Sequence, residues 1–186
     1  TLAKKLEEAA LIPAVIVKAK VFGKQFHTIC SGGAYLNPKY IDLFKKYGIT
    51  ILQGYGMTEC APVISTNYNN MSKAGSVGKC MPNCEVKTGG EEIWVKGTSV
   101  MQGYYQMPEE TAQTLEDGWL KTGDLGYVDE EGYLFLTGRK KNLIITPNGE
   151  NVSPEEIENK IGEKRLVQEV IVRDSEGGIE AEICRD

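Results

Sequence analysis

The sequence predicts an α/β protein, and three stretches carry that expectation. Apolar runs at 26–31 and 49–53 flank a segment with helical apolar spacing, the strand–helix–strand order of a βαβ unit with a parallel pair. After residue 75 glycine becomes frequent and apolar residues alternate in short runs, as in antiparallel β structure. From residue 153 a proline-initiated helix precedes two further short apolar runs.

In chain order, residues 2–10 set Leu2, Leu6, Ala9 and Ala10 against Lys and Glu, an amphipathic helix. Residues 14–22 fit either a strand or a helix end, and Gly23 stops them. Residues 26–31 read as a buried strand running into Gly32-Gly33. Asn37 is placed to cap a helix with Pro38 at its first position; Tyr40, Ile41, Phe44 and Tyr47 form its apolar stripe and Gly48 ends it. Glu92 to Lys96 alternate as a half-buried strand after a tight turn at Gly89-Gly90. Pro108 opens a short helix to about Thr114. Tyr127-Val128 and Tyr133 to Leu136 flank a hairpin loop whose acidic tip, Asp129 to Glu131, reads as solvated. Ser153-Pro154-Glu155-Glu156 has the form of a capping box, with the helix running to about Ile161. Strands follow at 167–172 and 179–183, joined by a turn. Trp94 and Trp119 read as packing anchors.

The 186 residues suffice for about one domain, and 41% hydrophobic with 25% charged residues is a globular balance. The formal charge of −5 leaves no positive excess to neutralise a nucleic-acid backbone, so general nucleic-acid binding is not expected. No apolar run is long enough to span a membrane, and the start at Thr1 resembles neither a signal peptide nor an initiator, so a piece of a longer chain is expected. An odd count of five cysteines points to free thiols and a reducing, cytoplasmic location. Cys60, Cys80, Cys84 and His27 could in principle supply four zinc ligands, but neutral thiols are the expectation. One histidine and no Gly-x-Ser-x-Gly elbow argue against a Ser-His-Asp hydrolase.

Four segments offer chemistry. Gly32 and Gly33, followed by Ala34, would let a planar ligand approach the backbone at a strand end; the plain alternative is a turn. In Gln53-Gly54-Tyr55-Gly56-Met57-Thr58-Glu59 the glycines free the Tyr55 ring, Thr58 offers a hydroxyl to a phosphate, and Glu59 offers a carboxylate to magnesium; the alternative is a loop with a capping threonine. Asp124 has two acceptor oxygens suited to ribose hydroxyls, or is a turn aspartate. Arg139, in a basic cluster at 139–142, carries a planar donor fork, or is solvated surface.

Taken together with Gly-Thr-Ser-Val-Met-Gln-Gly-Tyr-Tyr at 97–105, Asp-Gly-Trp-Leu-Lys-Thr-Gly-Asp at 117–124 and Gly-Arg-Lys-Lys-Asn-Leu-Ile at 138–144, these segments fall in an order that resembles the adenylate-forming (AMP-binding) superfamily. The resemblance runs from about residue 24 to the end. It implies a partial adenylate-forming fold: residues 1–138 as the C-terminal part of the large domain, with a βαβ layer and a small antiparallel subdomain, and 139–186 as hinge and incomplete C-terminal lid. It implies a ligase of the acyl-CoA synthetase type, which joins a carboxylate to ATP as an acyl-adenylate and then to coenzyme A as a thioester, with a fatty acid as the expected substrate. An amino-acid or aryl-acid adenylation domain is the alternative, and a non-catalytic nucleotide-binding or interaction fragment is another.

The same resemblance implies the roles. Gly32, Gly33 and Ala34 line the adenine and acyl side, Tyr55 stacks near adenine, and Gln53, Gly54 and Gly56 give backbone contacts. Thr58 meets the α-phosphate and Glu59 binds magnesium, the two catalytic residues; Asp124 and Arg139 hold the ribose. Lys141 is the hinge and Gly149 lines the coenzyme A tunnel. The family's upstream phosphate-binding loop and its C-terminal catalytic lysine match nothing here, so the isolated 186 residues are expected to be inactive, with exposed strand edges that favour self-association.

Overall fold

A computed structural model describes residues 13–68, 71–164, 166–175 and 178–185; the helix expected at 2–10 lies outside them. Residues 14–22, open between strand and helix in the sequence, form helix α1 (Ala14–Val21). Pro13 precedes it in an extended conformation, and its carbonyl accepts the N–H groups of Ile16 and Val17 at 2.9 and 3.3 Å. Val17 packs with Tyr47 and Ile49, joined by Phe22, Phe26 and Phe44, to form a small core of its own.

Strand β1 (Thr28–Ser31), helix α2 (Pro38–Lys46) and strand β2 (Thr50–Gly56) form the expected parallel unit, in register from Thr28 opposite Thr50 to Ser31 opposite Gln53. Asn37 caps α2, its Oδ1 accepting the Lys39 N–H at 3.0 Å. Two details depart from expectation. Strand β1 begins two residues late and alternates between exposed and half-buried, because it lies at a sheet edge with β2 alone beside it. Strand β2 continues through Gly56, so Gln53 to Gly56 are strand and not loop; β3 (Val63–Thr66) pairs antiparallel along them and holds them extended. The short β4 (Lys79–Cys80) completes the order β1-β2-β3-β4.

The second sheet contains β5 (Cys84–Gly89), β6 (Glu92–Gly97), β7 (Leu115–Glu116), β8 (Trp119–Val128) and β9 (Leu134–Arg139), in order β5-β6-β8-β7 with β9 also on β8. Helix α3 (Pro108–Thr114) leads into β7. The β5–β6 turn centres on Gly90-Glu91, both at positive φ (61° and 73°), one residue later than expected. Gly89 stays in the strand because the Trp94 indole lies directly over it. The main core joins the two sheets: Tyr55, Cys60 and Ile64 meet Ile93, Val95, Leu120 and Leu134, the last five of these seven nearly or wholly excluded from solvent along with Cys60. Trp94 and Trp119 are half-buried on the outer face instead of in this core, where Lys87 reaches both rings at 4.8 and 4.2 Å.

Past β9 the chain makes a 3-10 turn, Lys140–Asn142, then the two-residue pair β10 (Ile144–Ile145) and β11 (Asn151–Val152), helix α4 (Pro154–Gly162), and the hairpin β12 (Val167–Ser175) with β13 (Gly178–Arg185). The division expected after residue 138 falls one residue inside β9. Ser153 does precede α4 but makes no side-chain cap. Its Oγ lies 2.9 Å from both the Thr137 carbonyl and Glu155 Oε2, so it joins α4 to β9. Among the described residues no helix is long and apolar enough to cross a membrane.

Gly78 links the sheets: its carbonyl accepts the Leu134 N–H at 2.9 Å, its φ is +90°, and a Cβ there would overlap the Thr66 carbonyl. Gly78→Ala is expected to cost more than ~1 kcal/mol. The check is a urea titration, in which the midpoint falls while the slope stays unchanged.

Candidate functional site

The site grows from a buried carboxylate. Strand β8 carries Thr122, Gly123 and Asp124 alongside the irregular Glu92–Trp94 stretch of β6, and Thr122 Oγ1 donates to the Ile93 carbonyl at 2.8 Å. The same oxygen accepts the Asp124 N–H at 3.1 Å, which fixes the Asp124 backbone. Asp124 is 6% exposed and needs partners for its charge. It has two: Tyr55 donates its hydroxyl to Oδ2 at 2.6 Å, and Arg139 donates Nε–H to Oδ1 at 2.7 Å. Burial, reinforced by this carboxylate, pushes the Tyr55 phenol far above its ordinary value. The two partners come from different sheets, so three distant segments converge on one residue.

Beside this group lies an open cleft of about 700 Å³. Gly56, Thr58 and Glu59 line one wall; Thr122, Gly123 and Arg139 line another. Thr58 is exposed at the start of the 3-10 turn Thr58–Cys60. Glu59 Oε1 accepts a hydrogen bond from the Tyr104 hydroxyl at 2.9 Å, and burial with this contact raises the Tyr104 phenol. Among the described residues no group of three potential metal ligands is found, so Glu59 would hold a cation as one protein ligand. That suits magnesium, which keeps several waters and takes phosphate oxygens for the rest.

The structure brings Gly56, Thr58, Glu59 and Arg139 to one cleft, with Tyr55 and Asp124 immediately behind it. Gln53 and Gly54 lie in the same strand, and Gly32 sits against it, so that a Cβ there would stand 3.1 Å from the Gly54 carbonyl. Gly33 and Ala34 follow on the exposed turn after β1. Tyr55, expected to stack near adenine, is 9% exposed and its hydroxyl is bound to Asp124. The Gln53 Oε1 is buried without a partner. Lys141 lies exposed in the Lys140–Asn142 turn. Gly149 is not part of the cleft; it closes a turn in which its N–H donates to the Thr146 carbonyl at 2.8 Å.

Three partners were not read from the sequence. Tyr104 stands in the 97–105 motif, but its pairing with Glu59 spans 45 residues. Glu92 is 5% exposed and accepts Lys140 Nζ at 2.9 Å and the Gly123 N–H at 3.0 Å. Lys73 bonds Asp129 and Glu131 at 2.6 and 2.7 Å, so the hairpin tip is paired. His27 lies 3.0 Å from Lys18 Nζ.

The fold is that of an adenylate-forming protein. A model of the AMP-binding enzyme family matches residues 1–105, and the chain belongs to that family. It is 41% identical over 160 residues to a 2-succinylbenzoate–CoA ligase of Listeria innocua, covering 82% of this chain and 34% of that protein. It is 39% identical over 158 residues to the long-chain-fatty-acid–CoA ligase FadD15 of Mycobacterium bovis, covering 84% of this chain and 26% of that protein. The o-succinylbenzoate CoA synthetase MenE of Bacillus subtilis, solved with its acyl-adenylate intermediate, superposes with a TM-score of 0.78 at 27% identity over 100% of this chain and 44% of that one. The same enzyme solved with ATP and magnesium gives 0.74 at 34% identity, over 84% of this chain and 36% of that one. The chain thus spans about a quarter to a third of the length of these two curated relatives.

Tyr55→Phe removes one of two partners of a buried charge and is expected to cost about 1.5–3 kcal/mol. Because the folded phenol ionises above the unfolded one, this group's contribution is complete below about pH 10 and fades as pH rises beyond it. Urea unfolding from neutral to alkaline pH should therefore show the wild type losing its advantage over Tyr55→Phe as tyrosines ionise. Burial also pushes the Cys60 and Cys80 thiols up to about 11. Alkylation under mild conditions, read by mass spectrometry, should label the exposed Cys30 and Cys184 first.

Proposed function

We propose that this chain forms the nucleotide-facing part of an ATP-dependent carboxylate–CoA ligase. The carrying observation is Asp124, a buried carboxylate oriented by Tyr55 and Arg139 at the edge of a polar cleft. Each of its oxygens has one side-chain partner among the described residues and further acceptor capacity for ribose hydroxyls. Arg139 is half exposed and can turn its remaining N–H groups to the same sugar. Thr58 would donate to the α-phosphate, where negative charge gathers as the carboxylate attacks. Glu59 would anchor magnesium, which when bound neutralises the phosphates. Lys141 would serve as the pivot of a C-terminal lid that begins after β9, and Gly149 would approach the pantetheine arm of coenzyme A.

The acid is a carboxylic acid, and a fatty acid is our proposed substrate, from the wording of 138–144 and 148–158. An aryl acid is the second reading, favoured by the succinylbenzoate ligases among the relatives. By themselves the 186 residues are proposed to bind nucleotide without turnover.

Calorimetry with AMP should show binding by the wild-type chain and at least tenfold weaker binding by Asp124→Ala, a loss of about 1.4 kcal/mol or more. Equal binding by both would remove Asp124 from the site. ATP–pyrophosphate exchange with fatty and aryl acids should be absent for the isolated chain, and robust exchange would overturn that part of the reading.

A further inference from the structure

We propose that Glu92 is a positioning residue, whose buried carboxylate staples the ribose-binding turn of β8 to the segment that leads into the lid. The proposal rests on the nucleotide reading above. Glu92 enters β6 directly after Glu91, whose left-handed backbone (φ 73°) closes the β5–β6 turn. Its side chain is 7% exposed, so its charge has little access to water. Oε1 accepts the N–H of Gly123, next to Asp124; Oε2 accepts Nζ of Lys140, next to Arg139. Two consecutive basic residues, where β9 ends and the 3-10 turn begins, are thereby each bound to a buried carboxylate, Arg139 to Asp124 and Lys140 to Glu92. The second pair fixes the backbone on both sides of the first.

The same bond sets where rotation can begin. Lys140 is held to β6, while the Asn142 side-chain amide donates to Glu155 in the first turn of α4. Lys141 lies exposed between these two attachments, and among the described residues no side-chain bond holds it. A torsion change at Lys141 would move α4 and the β12–β13 hairpin while leaving Arg139 on Asp124. The contacts of Ser153 Oγ with Thr137 and Glu155 would have to break in that movement. Without Glu92, the stationary side of the pivot would lose its anchor, and Arg139 would move with the lid instead of with the ribose. A purely structural carboxylate would stabilise the turn but would leave nucleotide affinity unchanged in variants that stay folded.

The test uses the whole chain and AMP as the probe. Lys140→Met removes the partner whose side chain is 63% exposed, and thermal unfolding verifies that the fold survives. Coupling within a shared charge network commonly shifts affinity severalfold. Lys140→Met and Glu92→Gln are each expected to weaken AMP binding about fivefold, the double variant no further, and Lys140→Arg to restore the wild-type value. Hydrogen exchange should show faster exchange at Gly123 and across 139–142 in Lys140→Met. If the wild type binds AMP and the two single variants bind equally well, the staple does not position the site and the proposal is overturned, while the nucleotide reading stands. If Lys140→Arg fails to restore binding, or the double variant is additive, the pairing is not the cause. Absence of AMP binding by the wild type would overturn the nucleotide reading and this proposal with it.

Discussion

Asp124 carries a charge that the fold has taken out of water, and much of the architecture follows from how that charge is satisfied. A buried carboxylate without partners is strongly unfavourable. Here the partners are drawn from β2 through Tyr55 and from β9 through Arg139, with the backbone of β8 between them. The two sheets therefore share a polar constraint beside the apolar one made by Ile64, Ile93, Val95 and Leu120. Apolar packing tolerates small slips between surfaces, whereas two hydrogen bonds to opposite oxygens of one carboxylate do not. The result is a cleft whose walls, from different sheets, keep a defined separation.

The electrostatics are local and are invisible in the net charge. The chain is acidic overall, yet Lys121, Arg139 and Lys140 gather at one cleft with Glu59 and Glu92. Of these, Arg139 and Lys140 are already engaged by buried carboxylates, which holds them in place instead of leaving them to sample solvent. Positive charge also serves the outer surface: Lys87, Lys96 and, from the rim of the cleft, Lys121 lie over Trp94 or Trp119 and cover their indole faces.

Much of the architecture was legible because it is written locally. The Asn37-Pro38 start of α2, the parallel pair around it, the hairpin before β9 and the helix after Ser153 all depend on neighbours within a few residues. The misreadings have a common origin in distant partners. Gly54 and Gly56 suggest a loop, but β3 lies alongside and makes them strand. Gly89-Gly90 suggests the turn centre, but the Trp94 ring claims Gly89 for the strand. Ser153 has the sequence of a cap, but the Thr137 carbonyl and Glu155 take its hydroxyl. Asp124, Arg139, Thr58 and Glu59, which lie at or beside one cleft, were named from motif order. Glu92 and Tyr104 were not, since their pairings with Lys140 and Glu59 cross 48 and 45 residues. Tyr55 was named but its bond to Asp124 was not, because a ring between glycines carries no record of the aspartate 69 residues away.

The cleft also bears on why ligases of two different acids match this chain with nearly equal identity. Its described lining is almost wholly polar, with Met57 and the Tyr104 ring as its apolar surfaces. Such a lining suits a sugar, phosphates and a hydrated cation, which are common to every carboxylate activated through an adenylate. It offers little to an alkyl chain or an aryl ring, whose transfer from water needs a continuous apolar wall. Selection for the acid would therefore act weakly on these residues and strongly on whatever surrounds the acyl group.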